Sequence, residues 1–158
     1  MLADGRGHVL VRQGCKGEPA TSWGMPEGSI GAGESEREAA LRVLQEQTGI
    51  AGAKVLAQAP GWFTYELPCD QLNVSGQFSG QQQRWFAMRL LDDGQAIPSL
   101  DCARDTTVWR WVPASQMPEM AAAYKRQLYE DVIATFAPLM ASEGGAHQAL
   151  GQAPARQT

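Results

Sequence analysis

The chain has 158 residues, 44% of them hydrophobic and 19% charged, which suits one ordinary globular domain and excludes wholesale disorder. Its formal net charge of -4 argues against a protein that coats nucleic acid nonspecifically, while leaving room for a local basic groove. No apolar run reaches the ~18 residues that a bilayer crossing needs, so no membrane partner is expected.

The cysteines, Cys15, Cys69 and Cys102, have no CxxC spacing and give neither a disulfide framework nor a zinc site. Only His8 and His147 could serve histidine chemistry, and both lie near the chain ends. Chemistry must therefore run on carboxylates, backbone amides and arginines. The opening stretch from Met1 to Leu10 reads as neither a signal peptide nor an Arg/Ser-rich transit peptide. An intracellular protein, in the cytoplasm or an organelle, is expected.

In chain order, His8 to Gln13 follows a glycine-rich turn and reads as a strand. Gly14 to Gly33 is dense in Gly and Pro and reads mostly as loop. Ser35 to Thr48 is the strongest helix pattern: Ser35 and Glu38 form a capping box, Leu41, Leu44 and Thr48 share a face, and Gly49 follows as the terminating residue. Strands are predicted at Lys54–Ala57, Trp62–Leu67, Arg84–Leu91 and Thr107–Val112. A closing helix is predicted from Ala121 to Leu139, with Tyr124, Leu128, Val132, Ile133 and Phe136 on one face and Pro138 stopping it. Beyond about Met140 aromatics vanish and Ala, Gly and Gln dominate, so residues 1–140 are expected to form the domain and 141–158 a disordered C-terminal tail. Strands on both sides of a central helix, with a terminal helix, predict an α/β sandwich around a mixed sheet.

The segment from Gly24 to Ile50 carries the chemistry. A Gly-rich loop feeding a capped helix lets phosphate approach backbone amides and a positive helix end. Positions 43, 46 and 47 share a helix face, and three carboxylates there would hold Mg²⁺ against a pyrophosphate.

Here the sequence resembles the Nudix hydrolases, whose signature is G-x5-E-x7-R-E-U-x-E-E-x-G-U. Gly28, Glu34, Arg42, Leu44, Glu46, Gly49 and Ile50 stand at the matching spacings. Trp23 to Gly28 is similar to the family's W-x-x-P-x-G loop. Trp62 to Pro68, Gly80 to Phe86, Trp109 to Trp111 and Tyr124 to Tyr129 are similar to blocks of one subfamily, the bacterial RNA pyrophosphohydrolases and plant-type diadenosine tetraphosphate hydrolases. The resemblance implies an α/β/α Nudix fold with a mixed sheet. It implies a nucleoside polyphosphate or RNA 5′ end as ligand, and Mg²⁺ or Mn²⁺ as cofactor if the chain is active. It also implies Glu34 and Arg42 as a scaffold ion pair within the box that Gly28 and Gly49 bracket. Glu46 and Asp105 would be the surviving metal-binding, catalytic carboxylates, Tyr124 the base-stacking aromatic, and Lys125 and Arg126 phosphate partners. Gln81 and Gln83 could line the nucleotide pocket or form a polar strand entrance. Trp85, Phe86, Trp109 and Trp111 are expected in the core.

Two departures stand out. Val43 and Gln47 replace two of the three metal-binding glutamates, which should cost metal binding on the order of 10³-fold or more. Most of the family's first strand is also missing, which predicts a truncated strand and an unpaired sheet edge that a protein partner could cover. A weak or lost pyrophosphohydrolase is expected, with a non-catalytic structural or nucleotide-binding subunit as the alternative.

Overall fold

The computed structural model describes residues 1–14, 18–69, 80–91 and 108–140. Asp105 and the predicted tail 141–158 lie outside the described residues. Six strands form one sheet: β1 (Leu2–Ala3), β2 (His8–Gln13), β3 (Trp23–Gly24), β4 (Ala53–Glu66), β5 (Gly80–Leu90) and β6 (Trp109–Pro113). Their order is β3-β2-β1-β5-β4, with β6 on the other side of β2. The sheet is mixed because β1 runs parallel to β5 and antiparallel to β2. Three helices complete the fold: α1 (Glu36–Thr48), α2 (Met117–Met120) and α3 (Arg126–Met140).

Period-2 alternation divides the apolar residues between the two sheet faces. Val9, Val11, Trp85 and Ala87 pack with Leu128, Tyr129, Val132 and Phe136 of α3. Leu2, Leu10, Phe86 and Met88 pack with Leu44 of α1 and with Ile50. Both faces of β2 are therefore covered, and Val9, Leu10 and Val11 are each fully buried, so three consecutive apolar residues suit this strand. Trp85 and Phe86 lie in the core as expected, while Trp109 and Trp111 are half-buried against it.

The first strand is short, as expected, and the structure corrects three other expectations. In β1, Leu2 and Ala3 sit inside the sheet between β2 and β5, 1% and 3% exposed, and pair with only Met88 and Arg89 of β5. The Met1 amine donates to Phe86 O at 2.8 Å, and Met88 N–H donates to Met1 O at 2.9 Å. Ahead of these rungs β5 pairs with β4 alone among the described strands, and Gln81 to Phe86 line a cleft.

The two strands predicted at 54–57 and 62–67 are one, β4, whose register jumps from Gln58↔Phe86 to Trp62↔Arg84. Pro60 and Gly61 make a bulge within the strand rather than a turn between two strands. Trp23 and Gly24, predicted as loop, pair with Gln13 and Arg12. The closing helix is broken: α2 ends at an extended Ala121, one 3-10 turn spans Ala123–Lys125, and α3 then continues through Pro138 to Met140. Arg89 holds this end by donating from Nη2 to Leu139 O at 3.0 Å. Among the described residues, no helix is long and apolar enough to cross a membrane.

Candidate active site

Local sequence fixes α1 at both ends. Ser35 accepts from Glu38 N–H while the Glu38 carboxylate accepts from Ser35 N–H at 2.9 Å, closing the capping box. Gly49 terminates the helix in the left-handed region, at φ 73°, and donates to Gln45 O at 2.8 Å. The preceding loop is pinned by Arg42, whose Nε and Nη2 donate to the two oxygens of Glu34 at 2.7 and 2.9 Å. Arg42 Nη2 also donates to Ser29 O at 2.8 Å. Gly31 N–H donates to Glu34 at 2.8 Å, so one loop amide serves the scaffold rather than a ligand.

The hydrogen bonds from Arg42 and Gly31 lower the Glu34 carboxyl from 4.5 to about 2. A depressed carboxyl stabilises the fold above its unfolded value, and that contribution is lost as pH falls from 4.5 toward 2. Arg42→Gln should return the Glu34 carboxyl toward its ordinary value. A carbon-detected NMR titration that finds no change on this substitution contradicts the assignment of the pin.

A cleft of about 530 Å³ lies between the N-terminal part of α1, the loop from Pro26 to Ile30 and β5. Its walls include Arg12, Glu27, Gly28, Val43, Trp62, Gln81, Gln83 and Arg84. Trp62 is 47% exposed, and the Arg84 guanidinium stacks over it at 5.5 Å while Nε donates to Glu36 at 2.9 Å. This gives the rim an aromatic and cationic surface suited to a nucleobase.

Positions 43, 46 and 47 do not form one polar face. Val43 is 7% exposed and packs against Gly28, where an added Cβ would lie 2.6 Å from a Val43 methyl carbon. Gly28→Ala should therefore cost about 1–3 kcal/mol by overpacking, measured as a lower thermal midpoint. An unchanged midpoint contradicts this close approach. Glu46, with its side chain 61% exposed, is paired with Arg42 Nη1 at 3.0 Å and is not part of the cleft lining. Gln47 donates from Nε2 to Glu27 O at 2.6 Å.

The predicted binding residues converge on the α3 side of the sheet. Gln81 Oε1 accepts from Tyr65 OH at 2.6 Å, and the Tyr65 ring lies 6.0 Å from that of Tyr124. Gln83 donates to Glu27 Oε2 at 2.7 Å and accepts from Trp85 Nε1 at 3.0 Å. Lys125 departs from the expectation of a surface cation: it is 2% exposed and its ammonium lies between Glu18 at 2.6 Å and Glu27 at 2.5 Å. Burial alone would pull its pKa down, but Tyr129, Glu27 and the hydrogen bonds to Glu18 and Glu27 hold it above the ordinary lysine range. Burial, followed by the Glu27 charge, pushes the Tyr65 hydroxyl up to about 12. Arg126, the first residue of α3, is exposed. Glu18 and Glu27 were missed by sequence reasoning; the available signal was an acid directly before the box glycine Gly28.

Comparison with known proteins identifies the family. A NUDIX domain family model matches residues 1–132, and the chain belongs to the Nudix family. It is 41% identical over 127 residues to an RNA pyrophosphohydrolase of Cereibacter sphaeroides strain KD131, covering 78% of each chain. It is 37% identical over 123 residues to the protein of that name from Mesorhizobium japonicum, covering 74% of this chain and 71% of the relative. Among solved structures, a C. elegans Ap4A hydrolase superposes with a TM-score of 0.59 at 17% identity, covering 84% of this chain and 86% of the other. An E. coli dihydroneopterin triphosphate pyrophosphohydrolase gives 0.58 at 16% identity, covering 84% and 90%. These structural likenesses concern the fold.

A dication of the kind the family generally uses does not fit the described residues. Val43 brings no oxygen, Glu46 is engaged by Arg42, and Gln47 spends its N–H on a carbonyl. Gln47 Oε1 is buried with no hydrogen-bond partner among the described residues, yet one neutral amide oxygen is a weak anchor for Mg²⁺. Among the described residues, no three His, Cys, Asp or Glu side chains group as a metal site.

Proposed function

We propose that this chain binds a nucleoside polyphosphate or the 5′-triphosphate end of RNA in the cleft beside α1, and that its hydrolytic power is weak or lost. Its relatives named RNA pyrophosphohydrolase support the ligand class. Exposed Trp62 under Arg84 offers a stacking surface for a base, and Arg12 on the cleft wall offers charge to the phosphates. Gln81 and Gln83 supply fixed amides beside them.

The observation that carries the second half is the state of α1. At the three box positions the chain has a buried valine, a glutamate tied to Arg42 and a glutamine bonded to Glu27 O. Stabilising charge on a polyphosphate in flight is the main source of rate in phosphoryl transfer, and here the carboxylates that would organise it are absent or engaged. Binding without efficient turnover is the result.

Binding of triphosphorylated RNA, followed by fluorescence anisotropy, and release of pyrophosphate or phosphate in the same sample test the reading together. It predicts saturable binding that weakens in Trp62→Ala and turnover on the order of 10³-fold below that of an intact box. No binding, or turnover at an ordinary enzyme rate, overturns it. The alternative, a non-catalytic structural or nucleotide-binding subunit, rests on the same Val43 and Gln47 and on the short β1, which pairs with only Met88 and Arg89 of β5.

A further inference from the structure

We propose that the Glu27 carboxylate is a built-in anion, occupying the seat beside Lys125 and Gln83 that a phosphate group would otherwise take. It thereby sets which anions the cleft holds. The inference rests on reading the cleft as a phosphate-binding site.

Two donors converge on this one side chain. Lys125 Nζ meets Glu27 Oε1 at 2.5 Å, and Gln83 Nε2 meets Oε2 at 2.7 Å. An ammonium and an amide N–H addressing two oxygens of one anion is also how a phosphoryl group is held. The carboxylate cannot drift far, because Gln47 binds the main-chain oxygen of the same residue at 2.6 Å.

Charge counting separates the roles of the two acids. Glu18 and Glu27 surround one lysine, giving the trio a net charge of about -1. The Glu18 side chain is 2% exposed, so it is the permanent partner of the buried ammonium. The Glu27 side chain is 24% exposed and lines the cleft, while Lys125 does not. An entering anion therefore meets the surplus negative charge first and the cation only behind it. A ligand either keeps its phosphates toward Arg12 or displaces Glu27.

Isothermal titration of the whole chain with inorganic pyrophosphate, in buffer with chelator, tests the seat. Glu27→Gln removes the surplus charge and leaves Lys125 paired with Glu18, so affinity should rise about tenfold or more. Glu27→Ala should give the same gain, which guards against a fault peculiar to one variant. Adding Lys125→Met to Glu27→Gln should abolish it. Glu18→Gln should change affinity by less than about threefold, because Glu27 still fills the seat. Unchanged or weaker binding in cooperatively folded Glu27 variants overturns the inference, as does an equal gain from Glu18→Gln, which would mean net charge and not the seat is responsible. If wild-type protein binds triphosphorylated RNA while Glu27→Gln gains nothing for pyrophosphate, this inference alone fails. If Glu27→Gln gains for pyrophosphate while triphosphorylated RNA never binds, the reading of the function fails and the seat stands.

Discussion

Replacing Val43 and Gln47 together by glutamate is expected to raise hydrolysis of a 5′-triphosphorylated RNA by about 10³-fold in the presence of Mn²⁺ or Mg²⁺. The geometry at both positions favours this result. Val43 is one of the residues lining the cleft and packs against Gly28. Gln47 Nε2 stands 2.6 Å from Glu27 O, where its N–H supplies the positive end that the carbonyl requires. A carboxylate at this position would face that carbonyl oxygen with like partial charge unless a cation stood between them. Gln47→Glu alone should therefore lower the thermal midpoint without metal and recover it when Mn²⁺ is added. Failure of the double variant to gain activity, with the protein folded and Mn²⁺ bound, would show that the cleft has lost more than its carboxylates.

Lys125→Met should be the most destabilising single change at the site, costing about 3–5 kcal/mol, because it leaves buried Glu18 facing Glu27 with no cation between them. For a domain of this size that corresponds to a fall of about 10 °C in the melting temperature. Part of the loss should return when Glu27→Gln is added, since one carboxylate is then removed from the pair. A surface lysine, which the helix pattern around Tyr124 suggests, would change stability by less than about 0.5 kcal/mol on the same substitution. Thermal unfolding of the single and double variants distinguishes the two cases.

The contrast between these positions shows what kind of information a chain carries locally. Helix α1 was legible because its determinants are close in sequence: Ser35 and Glu38 cap it, and Gly49 ends it. The Arg42–Glu34 pin follows from box spacing for the same reason, eight residues apart. The pairing of Lys125 with Glu27 spans 98 residues, and nothing beside either residue announces it. The Pro60–Gly61 pair read as a break between strands because it carries the same signal in a turn and in a bulge; pairing with β5 decides which. The closing helix failed differently, since the extended Ala121 that divides α2 from the turn before α3 is an alanine in a run of alanines. β1 was legible only as an anomaly, a strand too short for its family. Its place at the centre of the sheet comes from rungs to Val9 and Met88, contacts that no local pattern encodes.

On the proposed reading the side chains at 43, 46 and 47 leave α1 without a working metal cradle, and electron paramagnetic resonance of Mn²⁺ titrated into the wild-type chain tests this most directly. The account predicts free Mn²⁺ signal throughout the micromolar range, with a bound species emerging in Val43→Glu/Gln47→Glu. A stoichiometric micromolar site in the wild-type chain that disappears in Glu46→Gln would contradict it.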